Sequence, residues 1–257
     1  MRCAWRNENR PQMTTAIVLA GGATDEAWRQ ASGAQTRAMV PLHGAPMYRH
    51  VLRALQGVPE IGRILIVGEV PPGEGYEVLH APGDLLESVQ LGLEASQTES
   101  VLFVTVDVPF LTAESVRFFL EASLQSGAAL TYAVVPAALC RQKFPQMKRT
   151  TVRLQEGELT GGNLFWAQRT IAMRELPRLK TLYAARKQPL RLALYVGIGI
   201  LIRFLLAQWV SPRFLSIRDV EKRAERLLGV PGRAILCPYA EIGTDIDTLH
   251  QWQQAQV

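Results

Sequence analysis

The chain has few of the residues from which cysteine and histidine sites are built. Its 257 residues include three cysteines, Cys3, Cys140 and Cys237, and four histidines. The cysteines form no C-x-x-C pair and the histidines form no H-x-x-x-H pair, which argues against a disulfide framework and against a zinc site. This cysteine usage is typical of a protein from a reducing compartment.

Two common nucleotide-binding motifs are also missing. The glycines after the first apolar run do not form G-x-G-x-x-G, and no G-x-x-x-x-G-K-[ST] follows any strand-like segment. The sequence therefore argues against a dinucleotide-binding dehydrogenase and against a P-loop NTPase.

The first residues lack the apolar core of an export signal. Residues 1–12 are polar and charged, so we expect a cytoplasmic protein. We expect a disordered extension over residues 1–13 and one domain over residues 14–257, interrupted by an α-helical insertion at about 175–230.

One apolar segment bears on that expectation. Residues 192–210 are nineteen residues with a single charge, Arg203, a length at the threshold for a transmembrane helix. The central arginine and the two glycines argue against a membrane span. We expect a helix buried against the domain or against a second copy, so a homodimer stays open; a peripheral membrane role is kept as an alternative.

Positive charge is concentrated in the second half of the chain. Residues 141–191 contain twelve Lys or Arg against three acidic residues. A local basic excess favours anionic ligands such as triphosphates and phosphorylated acceptors. Because no arginine-rich helix with interleaved aromatics is present, we expect no nucleic-acid partner.

Apolar runs alternate with helical periodicity through the first half of the chain. Strands are predicted at 16–20, 63–67 and 101–106, helices at 46–55, 85–93 and 113–124, and a further apolar run follows at 128–135. This alternation is typical of βαβ units, and it predicts a doubly wound α/β fold with a mostly parallel, Rossmann-like sheet. Beyond Pro136 the pattern predicts strands at 149–154, 233–236 and 241–247, and helices at 163–175 and 216–228.

Three short motifs carry the chemistry. Leu19-Ala20-Gly21-Gly22 follows the first strand, where glycine lets the backbone approach phosphates. Asp107 ends a central strand, where open α/β sheets bind ligands and where a carboxylate suits Mg²⁺. Asp245 and Asp247 are two residues apart, so in an extended strand their carboxylates point the same way and favour a cation between them. Helix capping is the structural alternative for Asp107; for the pair Asp245 and Asp247 it accounts for one carboxylate but not easily for both.

In this order, the motifs LAGG, DVPFLT (107–112) and DIDT (245–248) resemble those of MobA-like NTP transferases. The resemblance runs from about residue 15 to residue 252. It implies a Mg²⁺-dependent nucleotidyltransferase that transfers NMP from an NTP to a small phosphorylated or hydroxylated, anionic acceptor and releases pyrophosphate.

The resemblance also implies roles for individual residues. Leu19, Ala20, Gly21 and Gly22 would bind the nucleotide together with Ser88, and Asp107 and Asp247 would bind the metal, with Asp245 as the alternative to Asp247. Gly161, Gly162 and Asn163, within a TGGN element, would face the acceptor. A turn followed by an Asn N-cap is the structural alternative for that element, and a serine in the first helical turn is the alternative for Ser88.

The chain departs from the family pattern at two basic positions. Arg37 stands where the family has a catalytic lysine, and Ala45 stands where it has a second lysine. Arginine supplies the charge but not the geometry of lysine. A nucleotide-binding protein with impaired catalysis therefore stays open as an alternative function.

Overall fold

The structure is a computed structural model that describes residues 13–80, 83–185 and 197–256. Most of the predicted extension, residues 1–12, lies outside the described residues, as do residues 192–196 of the apolar segment.

The main sheet has eight strands. They are β1 (Thr14–Ala20), β4 (Ile61–Gly68), β5 (Glu77–Leu79), β6 (Ser100–Thr105), β7 (Leu130–Pro136), β8 (Val152–Leu154), β9 (Gly157–Gln168) and β10 (Gly232–Leu236). Their order is β10-β7-β9-β6-β1-β4-β5, with β8 paired to β9. Pairings that involve β9 are antiparallel and the others in this sheet are parallel. A separate two-stranded hairpin pairs β2 (Pro41–Leu42) with β3 (Ala45–Pro46).

Helices cover the sheet on both sides. They are α1 (Glu26–Ser32), α2 (Met47–Gln56), α3 (Leu85–Ala95), α4 (Ala113–Gln125), α5 (Ala137–Lys143), α6 (Arg169–Ala185), α7 (Ile198–Trp209), α8 (Ile217–Leu228) and α9 (Leu249–Gln254). Local capping begins several of them: the Asp84 carboxylate accepts from the Leu86 N–H, and Thr112 forms a capping box with Ser115.

Successive side chains of a strand point to opposite faces of the sheet, so the sheet divides the core into two layers. On β1 the buried Val18 packs with α2 and α4 on one face, whereas the buried Ile17 packs with α3 and α6 on the other. Both faces of the sheet are therefore covered, which requires near-continuous apolar strands. The predicted doubly wound, Rossmann-like α/β fold is confirmed.

Two secondary-structure predictions beyond Pro136 were wrong. The predicted helix at 163–175 is the second half of β9 followed by the start of α6, because Leu164 and Trp166 pack into the sheet core while the backbone pairs with β6 on one side and β7 on the other. The predicted strand at 241–247 is a 3₁₀ turn (Ala240–Gly243) and an irregular segment, whose Ile246 N–H bonds to the Asp107 carbonyl instead of to a strand partner.

The described part of the apolar segment, helix α7, is buried on one side only. Within α7, Ala207 is fully buried and packs with Leu154 and Leu215, whereas Trp209 is 84% exposed. The expectation of a buried helix therefore holds for its inner face alone. Among the described residues, no helix combines the length and the apolar character needed to cross a membrane.

Candidate active site

A cleft of about 390 Å³ opens at the carboxyl ends of β1 and β6. Six of the predicted site residues line it together: Leu19, Gly21, Gly22, Arg37, Ser88 and Asp107. They come from four separate parts of the chain, which the parallel strands bring to one edge of the sheet. This is the edge at which open α/β sheets place their ligands.

The glycine loop forms one wall of the cleft. The chain leaves β1 after the fully buried Ala20, which belongs to the apolar core and does not line the cleft. The Gly22 carbonyl accepts from the Arg37 N–H at 2.9 Å. A Cβ at Gly22 would lie 3.6 Å from Arg37 Cγ, an ordinary contact, so packing by itself does not require glycine here.

Arg37 connects the glycine loop to the C-terminal segment. Its Nη1 donates to the Ile246 carbonyl at 3.1 Å, and its Nη2 donates to the Asp247 carbonyl at 2.6 Å. The guanidinium carbon lies 3.9 Å from the centre of the Trp28 ring. Burial lowers the pKa of Arg37, and the charges of Asp107 and Asp247 oppose that shift. Arginine keeps its charge under such conditions, so Arg37 brings a fixed positive charge to the cleft.

Asp107 lies at the bottom of the cleft, just beyond β6. Its carboxylate accepts from the Thr105 hydroxyl at 2.5 Å, and its carbonyl accepts from the Ile246 N–H at 2.9 Å. Desolvation raises the pKa of Asp107, and the negative charge of Asp247 raises it further. Asp107 and Asp247 are thus close enough to repel each other, which is the arrangement that a cation relieves.

The two carboxylates of the DID motif have different surroundings. Asp247 is exposed, whereas Asp245 is buried. Both guanidinium Nη atoms of Arg149 donate to the two oxygens of Asp245, the Nη2 bond being 3.0 Å long. Asn163 Nδ2 donates to Asp245 Oδ2 at 3.3 Å. Asp245 is therefore committed to an ion pair within the protein, which leaves Asp247 as the carboxylate beside Asp107.

The TGGN element lies inside β9, so it is neither a turn nor a helix N-cap. Leu164 pairs with Val104, which brings Asn163 beside the end of β6 and near Asp107. A Cβ at Gly162 would lie 2.8 Å from both Ala133 Cβ and Ile242 Cγ2, so this glycine lets the 3₁₀ turn pack closely on the sheet. Gly161, Gly162 and Asn163 are not among the residues that line the cleft.

Ser88 lies at the cleft, and it is also a serine in the first turn of a helix, which was its structural alternative. It is 4% exposed in the first turn of α3, lines the cleft, and donates its hydroxyl to the Asp84 carbonyl at 2.9 Å. Its lone pairs are left to accept a hydrogen bond from a ligand.

Sequence reasoning missed two residues of the cleft and its support. Tyr183, near the end of α6, lines the cleft. Arg149, the partner of Asp245, was also missed. The excess of basic residues at 141–191 was a signal that this region meets negative charge, but it did not identify which arginine does so.

The donor set fits a hard cation held jointly with a ligand. Within the described ranges, no group of three or more His, Cys, Asp or Glu side chains could hold a metal ion by itself. Asp107 and Asp247 provide two carboxylates, and Mg²⁺ in nucleotide sites typically takes one or two carboxylates with phosphate oxygens completing its shell.

The chain is an α/β enzyme of the nucleotidyltransferase class. The chain belongs to the MobA-like NTP transferase family, whose domain model matches residues 16–190. A solved structure described as a hypothetical transferase from Thermus thermophilus is 38% identical, with a TM-score of 0.82 over 93% of this chain and 99% of that chain.

More distant structures share the fold. CMP:2-keto-3-deoxy-manno-octonic acid synthetase complexed with CTP is 10% identical, with a TM-score of 0.61 over 95% of this chain and 97% of that one. The 2-C-methyl-D-erythritol 4-phosphate cytidylyltransferase of Thermus thermophilus is 16% identical, with a TM-score of 0.55 over 95% and 98%. A comparison with curated proteins finds no match.

Proposed function

We propose that this transferase is Mg²⁺-dependent and transfers NMP from an NTP to a small phosphorylated or hydroxylated, anionic acceptor, with release of pyrophosphate, in the cytoplasm. The observation that carries the proposal is the cleft itself. It joins a glycine loop, a fixed positive charge at Arg37 and the carboxylate of Asp107 at the ligand-binding edge of the sheet.

The reaction is an in-line displacement at phosphorus. An acceptor oxygen forms a bond to the α-phosphorus, the bond from the α-phosphorus to the oxygen that bridges to the β-phosphorus breaks, and the electron pair leaves with pyrophosphate. A hydroxyl acceptor releases its proton to water in this step, whereas an ionised phosphate acceptor has none to release. The protein contributes positioning and charge, and no side-chain nucleophile is required. Mg²⁺ bound by Asp107 and Asp247 would neutralise phosphate charge.

Each residue has a stated task in this mechanism. The backbone from Leu19 to Gly22 holds the nucleotide, and Ser88 contacts the base. Arg37 stabilises charge that develops on the triphosphate, while its bonds to the Ile246 and Asp247 carbonyls hold the backbone of Asp247 beside Arg37, although Asp247 is not among the residues that line the cleft. Gly161, Gly162 and Asn163 lie on the acceptor side; Asp245 acts through its ion pair with Arg149 and does not bind the metal.

Gly22→Ala tests the nucleotide site without disturbing the fold. A Cβ there makes only ordinary contacts, 3.6 Å from Arg37 Cγ, but it occupies space that a phosphate needs. We expect unchanged thermal stability and NTP affinity weaker by at least about tenfold, measured by calorimetric titration with each of the four NTPs. Gly199→Ala is the control, because a Cβ there meets nothing within 4 Å. Equal NTP affinity in wild type and Gly22→Ala would remove the loop from the site.

The alternative function, nucleotide binding with impaired catalysis, is favoured by one observation: both Nη atoms of Arg37 already donate to backbone carbonyls. On that alternative, Arg37→Lys restores the family lysine and pyrophosphate release increases. If the proposed reaction is right, Arg37→Lys decreases pyrophosphate release. Lysine cannot reproduce the two hydrogen bonds that the guanidinium donates to the Ile246 and Asp247 carbonyls, nor its stacking on the Trp28 ring. Arg29→Lys is the control, since Arg29 bonds to Glu26 and the Thr24 carbonyl away from the cleft.

A further inference from the structure

Helix α7 exposes a continuous apolar stripe. Ile198, Ile202, Leu205 and Trp209 are 75%, 51%, 48% and 84% exposed. Their spacing places them on one face of the helix, opposite the buried Ala207 and the partly buried Ile200 and Phe204. A surface helix normally carries polar residues on its outer face. An apolar stripe of this kind marks a contact surface.

The polar residues of α7 are used to attach it to its neighbours. Arg203 pairs with Asp219 and also donates to the Phe214 carbonyl, while Gln208 exchanges hydrogen bonds with Arg153. The inner face packs on Leu154, Leu159 and Leu215. The fold therefore holds α7 in place without using the outer stripe.

Within residues 197–229, the charged side chains that are exposed to solvent are basic. Between residues 197 and 229 the exposed charged side chains are Arg213, Arg218, Lys222 and Arg226. The acidic residues of this segment, Asp219, Glu221 and Glu225, are less exposed, and each pairs with Arg203 or Arg233. Glu156, an exposed carboxylate next to this surface, accepts from the Ile217 N–H at the start of α8.

The exposed basic residues of α8, Arg218, Lys222 and Arg226, form a basic row next to the apolar stripe of α7. On α8, Asp219 contacts α7 through Arg203, and the Arg223 guanidinium lies 3.1 Å from where a Cβ at Gly197 would be. Arg218, Lys222 and Arg226 each lie one turn or less from those two positions on the helix surface. Hydrophobic and cationic side chains thus occur side by side on α7 and α8.

We propose that α7 and α8 form a docking surface for an anionic lipid bilayer. Helix α7 lies in the plane of the interface with its apolar stripe at the boundary between headgroups and acyl chains, and the basic residues face anionic headgroups. A second copy of the chain fits this surface less well. Both copies would bring the same exposed basic residues to the interface, in a chain that already carries a net charge of +5.

The test is sedimentation of the full chain with vesicles. One set contains phosphatidylcholine alone and the other contains equal parts phosphatidylcholine and phosphatidylglycerol. We expect binding to the anionic set, weakened by salt. Leu205→Gln should reduce that binding at least about tenfold. Leu236→Gln is the matched control, because Leu236 is 47% exposed on β10 and should leave the binding unchanged.

The emission of Trp209 reports the depth of the helix. Trp28, Trp166 and Trp252 are buried, so we expect a blue shift on adding anionic vesicles that is lost in Trp209→Phe although this variant still sediments. Equal binding to both vesicle sets, or equal binding by Leu205→Gln and wild type, would overturn the proposal. Self-association that Leu205→Gln abolishes, without vesicle binding, would assign the stripe to a second copy instead. NTP binding of Leu205→Gln, measured without vesicles, stays at the wild-type value.

Discussion

Asp107→Asn should abolish turnover and at the same time stabilise the metal-free protein. Asparagine keeps the shape of the side chain but is a weaker ligand without charge, so we expect pyrophosphate release to fall by at least about 100-fold, since loss of even an outer-shell metal partner costs 10–100-fold. In the metal-free fold the ionised carboxylate is desolvated and is repelled by Asp247, and both effects raise its pKa. Removing that charge removes a destabilising interaction.

The sign of the pH dependence follows from the raised pKa. A carboxyl group whose pKa is higher in the folded state than in the unfolded state makes the fold lose stability as pH rises from the usual value of 3.8 through the raised value. Asp107→Asn lacks that loss. The Tm of Asp107→Asn should therefore exceed that of wild type by an amount that grows with pH across this window and is constant above it. Each kcal/mol of unfolding free energy corresponds to about 2–4 °C in Tm.

Thermal melts without metal, over a range of pH, measure this effect. Glu121→Gln is the control, because its carboxylate forms an exposed pair with Arg117 that contributes little. A Tm of Asp107→Asn at or below that of wild type at neutral pH would contradict the burial and repulsion inferred for Asp107.

Arg149→Ala should be among the most destabilising single substitutions away from the apolar core. Arg149 and Asp245 have side chains only 13% and 10% exposed. Removing the guanidinium leaves a buried carboxylate whose remaining side-chain partner, in the part of the chain that the structure describes, is Asn163, and such a change costs about 3–5 kcal/mol. Urea unfolding at neutral pH measures the loss.

Two further variants identify the cause of that loss. Arg141→Ala breaks an exposed pair with Glu158 and should cost no more than about 1 kcal/mol. The double variant Arg149→Met with Asp245→Asn should recover part of the stability lost in Arg149→Ala, because no unpaired charge is then buried. A cost for Arg149→Ala as small as that for Arg141→Ala would show that Asp245 is solvated and free to bind a cation.

The first half of the fold was predictable because its strands are buried on both faces. Near-continuous apolar runs at 16–20 and 101–106 mark central strands, and the residues that follow them, Gly21 and Asp107, reach the cleft by topology alone. The second half did not follow this pattern. In β9 the glycines of TGGN are typical of a turn. Inside a strand they are explained by close packing, of Gly161 on the Tyr132 side chain and of Gly162 on Ala133 and Ile242.

The roles of the charged residues depended on contacts that no local pattern encodes. In an extended strand, the side chains of Asp245 and Asp247 would lie on the same face, so the sequence pattern does not distinguish them. They differ in the structure because Asp245 pairs with Arg149, which is 96 residues away in sequence. Arg37 was predicted from its place in the family motif, but its bonds to Ile246 and Asp247 span more than 200 residues. The charge pattern identified the basic region at 141–191, but it could not show which acidic residue each basic residue pairs with.

The central claim is tested most directly by pyrophosphate release. Each of the four NTPs is incubated with the protein, Mg²⁺ and a pool of phosphorylated metabolites, with Asp107→Asn in parallel. We predict release from one NTP that requires Mg²⁺ and the acceptor pool and is lost in Asp107→Asn. If no NTP releases pyrophosphate while one binds in a manner that depends on Gly22, the cleft is a nucleotide-binding site without transferase activity, and the proposed reaction is wrong.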